Sequence, residues 1–169
     1  MTFYLQAFAL AAFAAVMAAA AFEDFRRLVI PNLLPIVLCA LWPVYFYLVA
    51  GLAWYAALVA IGCAAAVFIG GAVLFAFGYL GGGDVKLLGA AALWAGPAGT
   101  PTLLVLTAVL GGVLALFLLI PFGGRLVAAA RRTLGQPSIQ PDRGLATPVP
   151  YGIAIAGAAL LVTLPPHFG

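Results

Sequence analysis

Two aspartates, Asp24 and Asp84, are the residues of this chain best placed to do chemistry. The sequence holds only four acidic side chains, Glu23, Asp24, Asp84 and Asp142. Asp24 closes a long apolar run and is followed by Arg26 and Arg27. Asp84 ends the stretch Gly81–Gly82–Gly83 and is followed by Lys86. No charged residue stands between Arg27 and Asp84. Two carboxyls brought together where water is scarce cannot both ionise easily, so one keeps a proton while the other stays charged. The charged one can activate a water, and the neutral one can donate a hydrogen bond to a carbonyl. That is peptide hydrolysis with neither a covalent intermediate nor a metal. Two aspartates at helix ends can equally do no more than cap those helices or balance Arg26, Arg27 and Lys86. Spacing alone does not separate the readings, although acids at membrane depth are functional candidates by default.

The elements that must position these residues follow from composition. Hydrophobic residues make up 67% of the 169 and charged residues 7%, against about 25% charged in a soluble domain. This excludes a soluble fold and implies one polytopic membrane domain over residues 1–169. Uncharged runs cover 1–22, 28–83, 87–124 and 144–169. A crossing helix takes about 20 apolar residues, so the second and third runs each hold two crossings. The expectation is an all-α bundle of six transmembrane helices. The first run ends in small residues, like a signal-peptide cleavage site. It lacks any Lys or Arg before residue 23, however, and is read as a retained helix. Cys39 and Cys63 fall inside spans and read as small buried hydrophobes. His167 and Asp142 read as exposed and without a role.

In order, the expected helices are 3–22, 32–50, 54–77, 84–96, 102–120 and 149–164. Pro31 can open the second helix. Alanines at 7, 11, 15 and 19, and Gly62, Ala66 and Gly70, form small-residue stripes on which helices can pack closely. Residues 96–101 read as a loop. Residues 123–147 form the one polar segment. Within it, 125–134 reads either as a basic helix at an anionic membrane surface or as a solvated loop. With six crossings, all seven Lys and Arg residues fall on one side. Positive residues stay cytoplasmic, so both termini are expected on the other, periplasmic side. The fourth helix is too short to cross alone. Either the bilayer thins locally or the Gly81–Gly83 loop dips below the cytoplasmic headgroups, shielded by neighbouring helices; the dip, with a sunken Asp84, is the expectation.

The glycine run permits close backbone approach, and its spacing fits no nucleotide-binding pattern. Gly81–Gly82–Gly83–Asp84 matches the GxGD motif of intramembrane aspartyl proteases. With Val85–Lys86–Leu87–Leu88 it resembles the second catalytic motif of type IV prepilin peptidases. Asp24 through Arg26–Arg27 to Ile30–Pro31–Asn32 resembles that family's first motif. Pro150–Tyr151–Gly152–Ile153 is similar to the element opening its last helix. The resemblance implies an aspartic endopeptidase with Asp24 and Asp84 as its catalytic pair. Gly81, Gly83, Lys86, Pro31, Asn32, Tyr151 and Gly152 are the supporting residues. The implied partners are prepilins, cut between a basic leader and an apolar helix at the cytoplasmic face of the bacterial inner membrane, and membrane lipids.

Larger relatives carry a cysteine-containing cytoplasmic insert and also methylate the new terminus. This chain lacks that insert and resembles the small, peptidase-only branch serving Flp-type pili. No cofactor, metal or nucleic acid is implied. Glu23 points about 100° from Asp24 on a helix, and the motif selects Asp24. Lys86 can bias the acids, hold the loop or reach the headgroups. Two other classes are a proton-coupled carrier and a structural subunit of a secretion apparatus. Against a carrier, both acids lie at one face and the helix centres are almost free of polar groups.

Overall fold

The structure is a computed structural model and describes residues 2–51, 53–133 and 149–164. Among these there are six helices and no strand: α1 (Thr2–Arg27), α2 (Leu33–Ala50), α3 (Trp54–Ala76), α4 (Gly82–Leu119), α5 (Pro121–Thr133) and α6 (Tyr151–Thr163). By length and composition, α1 to α4 can each cross a membrane, while α6 is a shorter apolar helix. The chain is an all-α polytopic membrane protein. Asp142, Arg143 and His167 lie outside the described residues.

The helices are not quite the six expected. The expected fourth and fifth are two arms of α4, and the loop expected at 96–101 is reduced to one residue. Gly96 breaks the helix at φ 65 and ψ 179, a backbone conformation that other residues reach only with strain. The returning arm begins at once, because Pro97 occupies a first helical position where a missing N–H costs nothing. Thr100 Oγ1 lies 2.7 Å from Gly96 O and 3.4 Å from Ala92 O. It thereby serves carbonyls that the end of the first arm leaves without helical partners.

The first arm, residues 82–95, runs from the Asp24 end of α1 toward Phe13, whose ring centroid is 4.6 Å from that of Trp94. The second arm, residues 97–119, returns along α6, with Gly99 against Val162 and Gly111 against Tyr151. The extra helix is α5, so residues 121–133 take the helical option for this stretch. At the far end of the bundle, Gln6 Nε2 donates to Leu48 O at 2.8 Å. Gly51, at φ 64, ends α2. All described charged residues lie at the opposite end: near the end of α1, at the start of α4, and in α5.

The core is built from Phe13, Met17, Leu38, Leu87, Leu103 and Ile155, all fully buried. Trp94 Nε1 donates to Leu38 O at 2.9 Å, tying α4 to α2. The two small-residue stripes do not mediate this packing. Ala7, Ala11 and Ala15 are exposed on α1, as are Gly62, Ala66 and Gly70 on α3. Close approach comes from the partners instead: Ala90, Ala91 and Ala92 of α4 and Ala154, Ala156, Ala158 and Ala159 of α6 are all buried. Phe13 and Met17 can then reach inward from α1. Both cysteines are free. Cys63 is half-buried but Cys39 is exposed, against expectation.

Candidate active site

Asp24 and Asp84 line one cavity of about 230 Å³, together with Leu28, Val29, Ile30 and Gly81–Gly83. Each acid is delivered by a helix end. Asp24 sits in the last turn of α1, 5% exposed, on the face that also buries Phe13, Met17 and Ala20. Glu23, one residue back, turns away and pairs with Arg27 at 3.3 Å. After α1, Leu28 takes φ 55 and donates its N–H to Asp24 O at 2.9 Å. It closes the helix in a left-handed conformation, a role that glycine usually fills. That reversal turns Val29 and Ile30 back over the cavity.

Asp84 lies in the first turn of α4, which starts from Gly81 in extended conformation. Its carboxylate folds back over Gly81, where a Cβ would sit 2.7 Å from Asp84 Oδ2. A side chain at 81 would therefore displace the acid. Gly152 plays the matching part for Asp24. Its N–H donates to Asp24 Oδ2 at 2.7 Å. A Cβ there would meet that oxygen at 2.8 Å and Ile30 Cδ1 at 2.9 Å. The bond satisfies one oxygen of a buried acid that would otherwise be costly to hold. Gly83 lets the 28–32 linker close down, since its Cβ would come within 3.0 Å of Ile30 Cβ.

Of the motif residues, Asp24, Asp84, Gly81, Gly83 and Gly152 thus come together. Gly152 does so through its bond to Asp24 from outside the cavity lining, and the other four neither line the cavity nor bond to the acids. Lys86 Nζ donates to Asn32 Oδ1 at 2.8 Å on the opposite side of α4. This explains why Asn32, just before α2, makes no side-chain cap. Pro31 is exposed, and its carbonyl accepts the Leu34 N–H at 3.1 Å, which opens the turn before α2. The Tyr151 ring packs on Gly111 rather than on the acids. Lys86 and Asn32 instead end a separate apolar groove of about 810 Å³ between α2 and α3, floored by Gly89, Ala90 and Leu93. Sequence reasoning missed Leu28, Val29 and Ile30 as cavity walls. Ile30 was read only as part of the first motif, and Leu28 and Val29 only as the spacing within it.

The acids are recessed along the bundle. Gly111 is level with Tyr151 beside the site. From there the second arm continues to Leu119, about 12 Å further at 1.5 Å per residue. Its outward Val113, Leu116 and Leu119 are 60%, 65% and 73% exposed. On α3, Gly71 meets Val85 and Phe75 meets Gly82. Exposed apolar surface therefore extends past the level of the carboxylates.

A polytopic helical bundle with two acids converging at one end, each seated by a glycine, is the class of protein this architecture defines. The family model for the type IV leader peptidase family matches residues 11–116, a span that includes both Asp24 and Asp84. The chain belongs to that family. Searches of curated proteins and of solved structures found no match to it.

Proposed function

We propose that this protein is a membrane aspartic endopeptidase that removes the leader from prepilin-type substrates, with Asp24 and Asp84 as its catalytic pair. Membership of the leader peptidase family supports the substrate class. The observation that carries the chemistry is the single cavity lined by both carboxylates. In this reading a water sits between the acids. The ionised carboxylate takes a proton from the water as its oxygen attacks the scissile carbonyl carbon. The protonated carboxyl donates to the carbonyl oxygen, and a tetrahedral diol forms. On collapse, the C–N bond breaks and the amine leaves with a proton from the pair. Gly152 holds Asp24 Oδ2, which leaves the other oxygen for this exchange.

We place the site at the cytoplasmic face of the inner membrane with both chain ends periplasmic. The gathering of the described charged residues at the site end supports that orientation. Exposed apolar surface beyond the acids supports a site just inside the hydrocarbon. It would there meet a bond at the edge of a substrate's apolar helix. The absence of the cysteine-containing insert supports the peptidase-only, Flp-type branch. The test uses purified protein in liposomes and a synthetic peptide with a basic leader followed by an apolar segment. The expected product is one cut just ahead of the apolar segment, with a new N-terminus that stays unmethylated when a methyl donor is supplied. An uncut peptide would overturn the assignment.

A further inference from the structure

Helix α5 follows α4 after a single non-helical residue, Ile120 at φ −71 and ψ 129, and is the most polar helix of the structure. Three of its residues are arginines: Arg125, Arg131 and Arg132. Two of them, Arg125 and Arg132, are exposed, as expected of a helix held to a membrane surface by charge. Arg131 is different. It is half-buried, and its Nε is shut off from solvent. Its Nη2 donates to the Arg26 carbonyl oxygen at 2.9 Å, across 105 residues of chain.

That carbonyl lies in the final turn of α1, where the helix has no further N–H donors for its last carbonyls and a cation is favoured by the helix dipole. Asp24 occupies the same turn. The guanidinium is also close enough to Asp24 for the two charges to interact. The other groups around Asp24 are known. Asp84 faces it from α4 and the Gly152 N–H from α6. On its own helix Glu23 is paired with Arg27, and Arg26 lies over the Phe22 ring. Among the described residues Arg131 is therefore the cation that another element brings to the Asp24 turn.

We propose that Arg131 is a positioning residue. It clamps the last turn of α1 so that Asp24 stays aimed at Asp84, and it makes α5 a working part of the site rather than a detached surface helix. The proposal rests on the two-aspartate reading above. A loosened α1 end would misplace Asp24 without altering the surface that holds substrate. The cost should therefore fall on kcat and not on KM.

The test compares purified wild type with Arg131→Gln, Arg131→Lys and Arg132→Gln on the same peptide in liposomes. Asp24→Asn is run alongside. Arg131→Gln is expected to lower kcat by about tenfold or more with KM within about twofold, since small misplacements of a reacting group are costly. Arg131→Lys keeps the charge and one donor but loses the planar fork. It should lie between the two, with kcat about threefold below wild type. Arg132→Gln removes the same charge one residue on and should leave kcat and KM unchanged.

Wild-type kcat in Arg131→Gln overturns the proposal, as does a change confined to KM or an equal loss in Arg132→Gln. Should Arg131→Gln not accumulate as folded protein, wild-type kcat in Arg131→Lys overturns it just as directly. Failure of the underlying reading looks different, because Asp24→Asn would then still cleave. With Asp24→Asn inactive and Arg131→Gln unaltered, only the role of Arg131 falls.

Discussion

The backbone N–H of Gly152 reaches the carboxylate of Asp24 at 2.7 Å, although 128 residues separate them in the chain. The start of the last helix is thus bonded to the end of the first, at the acid that faces Asp84. The family match ends at residue 116, so this contact ties a segment outside the matched span to the site.

Gly152→Ala should therefore be far more damaging than its one added methyl suggests. The new Cβ would run into Asp24 Oδ2, Asp24 Cβ and Ile30 Cδ1, all within 2.9 Å. Overpacking of this kind costs about 1–3 kcal/mol, and relief must come from moving Asp24 or Ile30. Leader cleavage should fall by about 100-fold if Asp24 is the group that moves. Thermal unfolding in detergent and the cleavage rate check this together. Activity within twofold of wild type would show that the glycine is not needed there.

The hairpin in α4 makes a separate prediction. Gly96→Ala forces a side chain into φ 65 and ψ 179, a region almost confined to glycine, at a cost of about 1–3 kcal/mol. Thr100→Val removes the hydroxyl that lies 2.7 Å from Gly96 O and should cost about 1–3 kcal/mol by leaving buried carbonyl capacity unfilled. Both sit at the far end from the acids. The folded fraction should keep its KM and kcat while the melting temperature drops.

The Lys86–Asn32 bond is open to a double-mutant cycle. Lys86→Ala and Asn32→Ala should each lower stability by about 0.5–1 kcal/mol, the modest range of an exposed polar contact. The double variant should lose no more than the worse single one. Fully additive losses would show that the 2.8 Å contact contributes nothing.

Orientation can be read by cysteine labelling after Cys39 and Cys63 are replaced. Ala98 is exposed at the α4 hairpin and Ala129 is exposed on α5. An impermeant thiol reagent should label Ala98→Cys in intact cells and Ala129→Cys only after permeabilisation, from the one-sided placement of Lys and Arg. Labelling of Ala129→Cys in intact cells would invert the proposed topology.

How much of this was legible beforehand depends on the kind of signal. Asp24 and Asp84 are visible because charge is so scarce in the chain, and glycine beside an acid marks a backbone that must come close. The short fourth span and the reversal near Gly96 follow from Gly and Pro placement. The packing faces do not. Helices that are apolar all round carry no amphipathic signal, so small-residue spacing on α1 and α3 suggested contacts that are made instead by Phe13 and Met17 on α1 and by Gly71 on α3. Arg131 was hidden for another reason. Its partner is a backbone carbonyl, that of Arg26, and residue types do not reveal which carbonyl a distant side chain will find. Leu28 was hidden because its left-handed conformation normally calls for glycine, and nothing in a leucine announces it.

The central claim is that two carboxyls share one acid–base cycle, and it is tested most directly by changing each alone. Purified Asp24→Asn and Asp84→Asn proteins, reconstituted in liposomes, are given the leader-bearing peptide and the products are weighed. Each variant should insert and fold like wild type yet release no measurable leader, while Glu23→Gln stays near the wild-type rate. Cleavage by either asparagine variant at close to the wild-type rate would contradict the account.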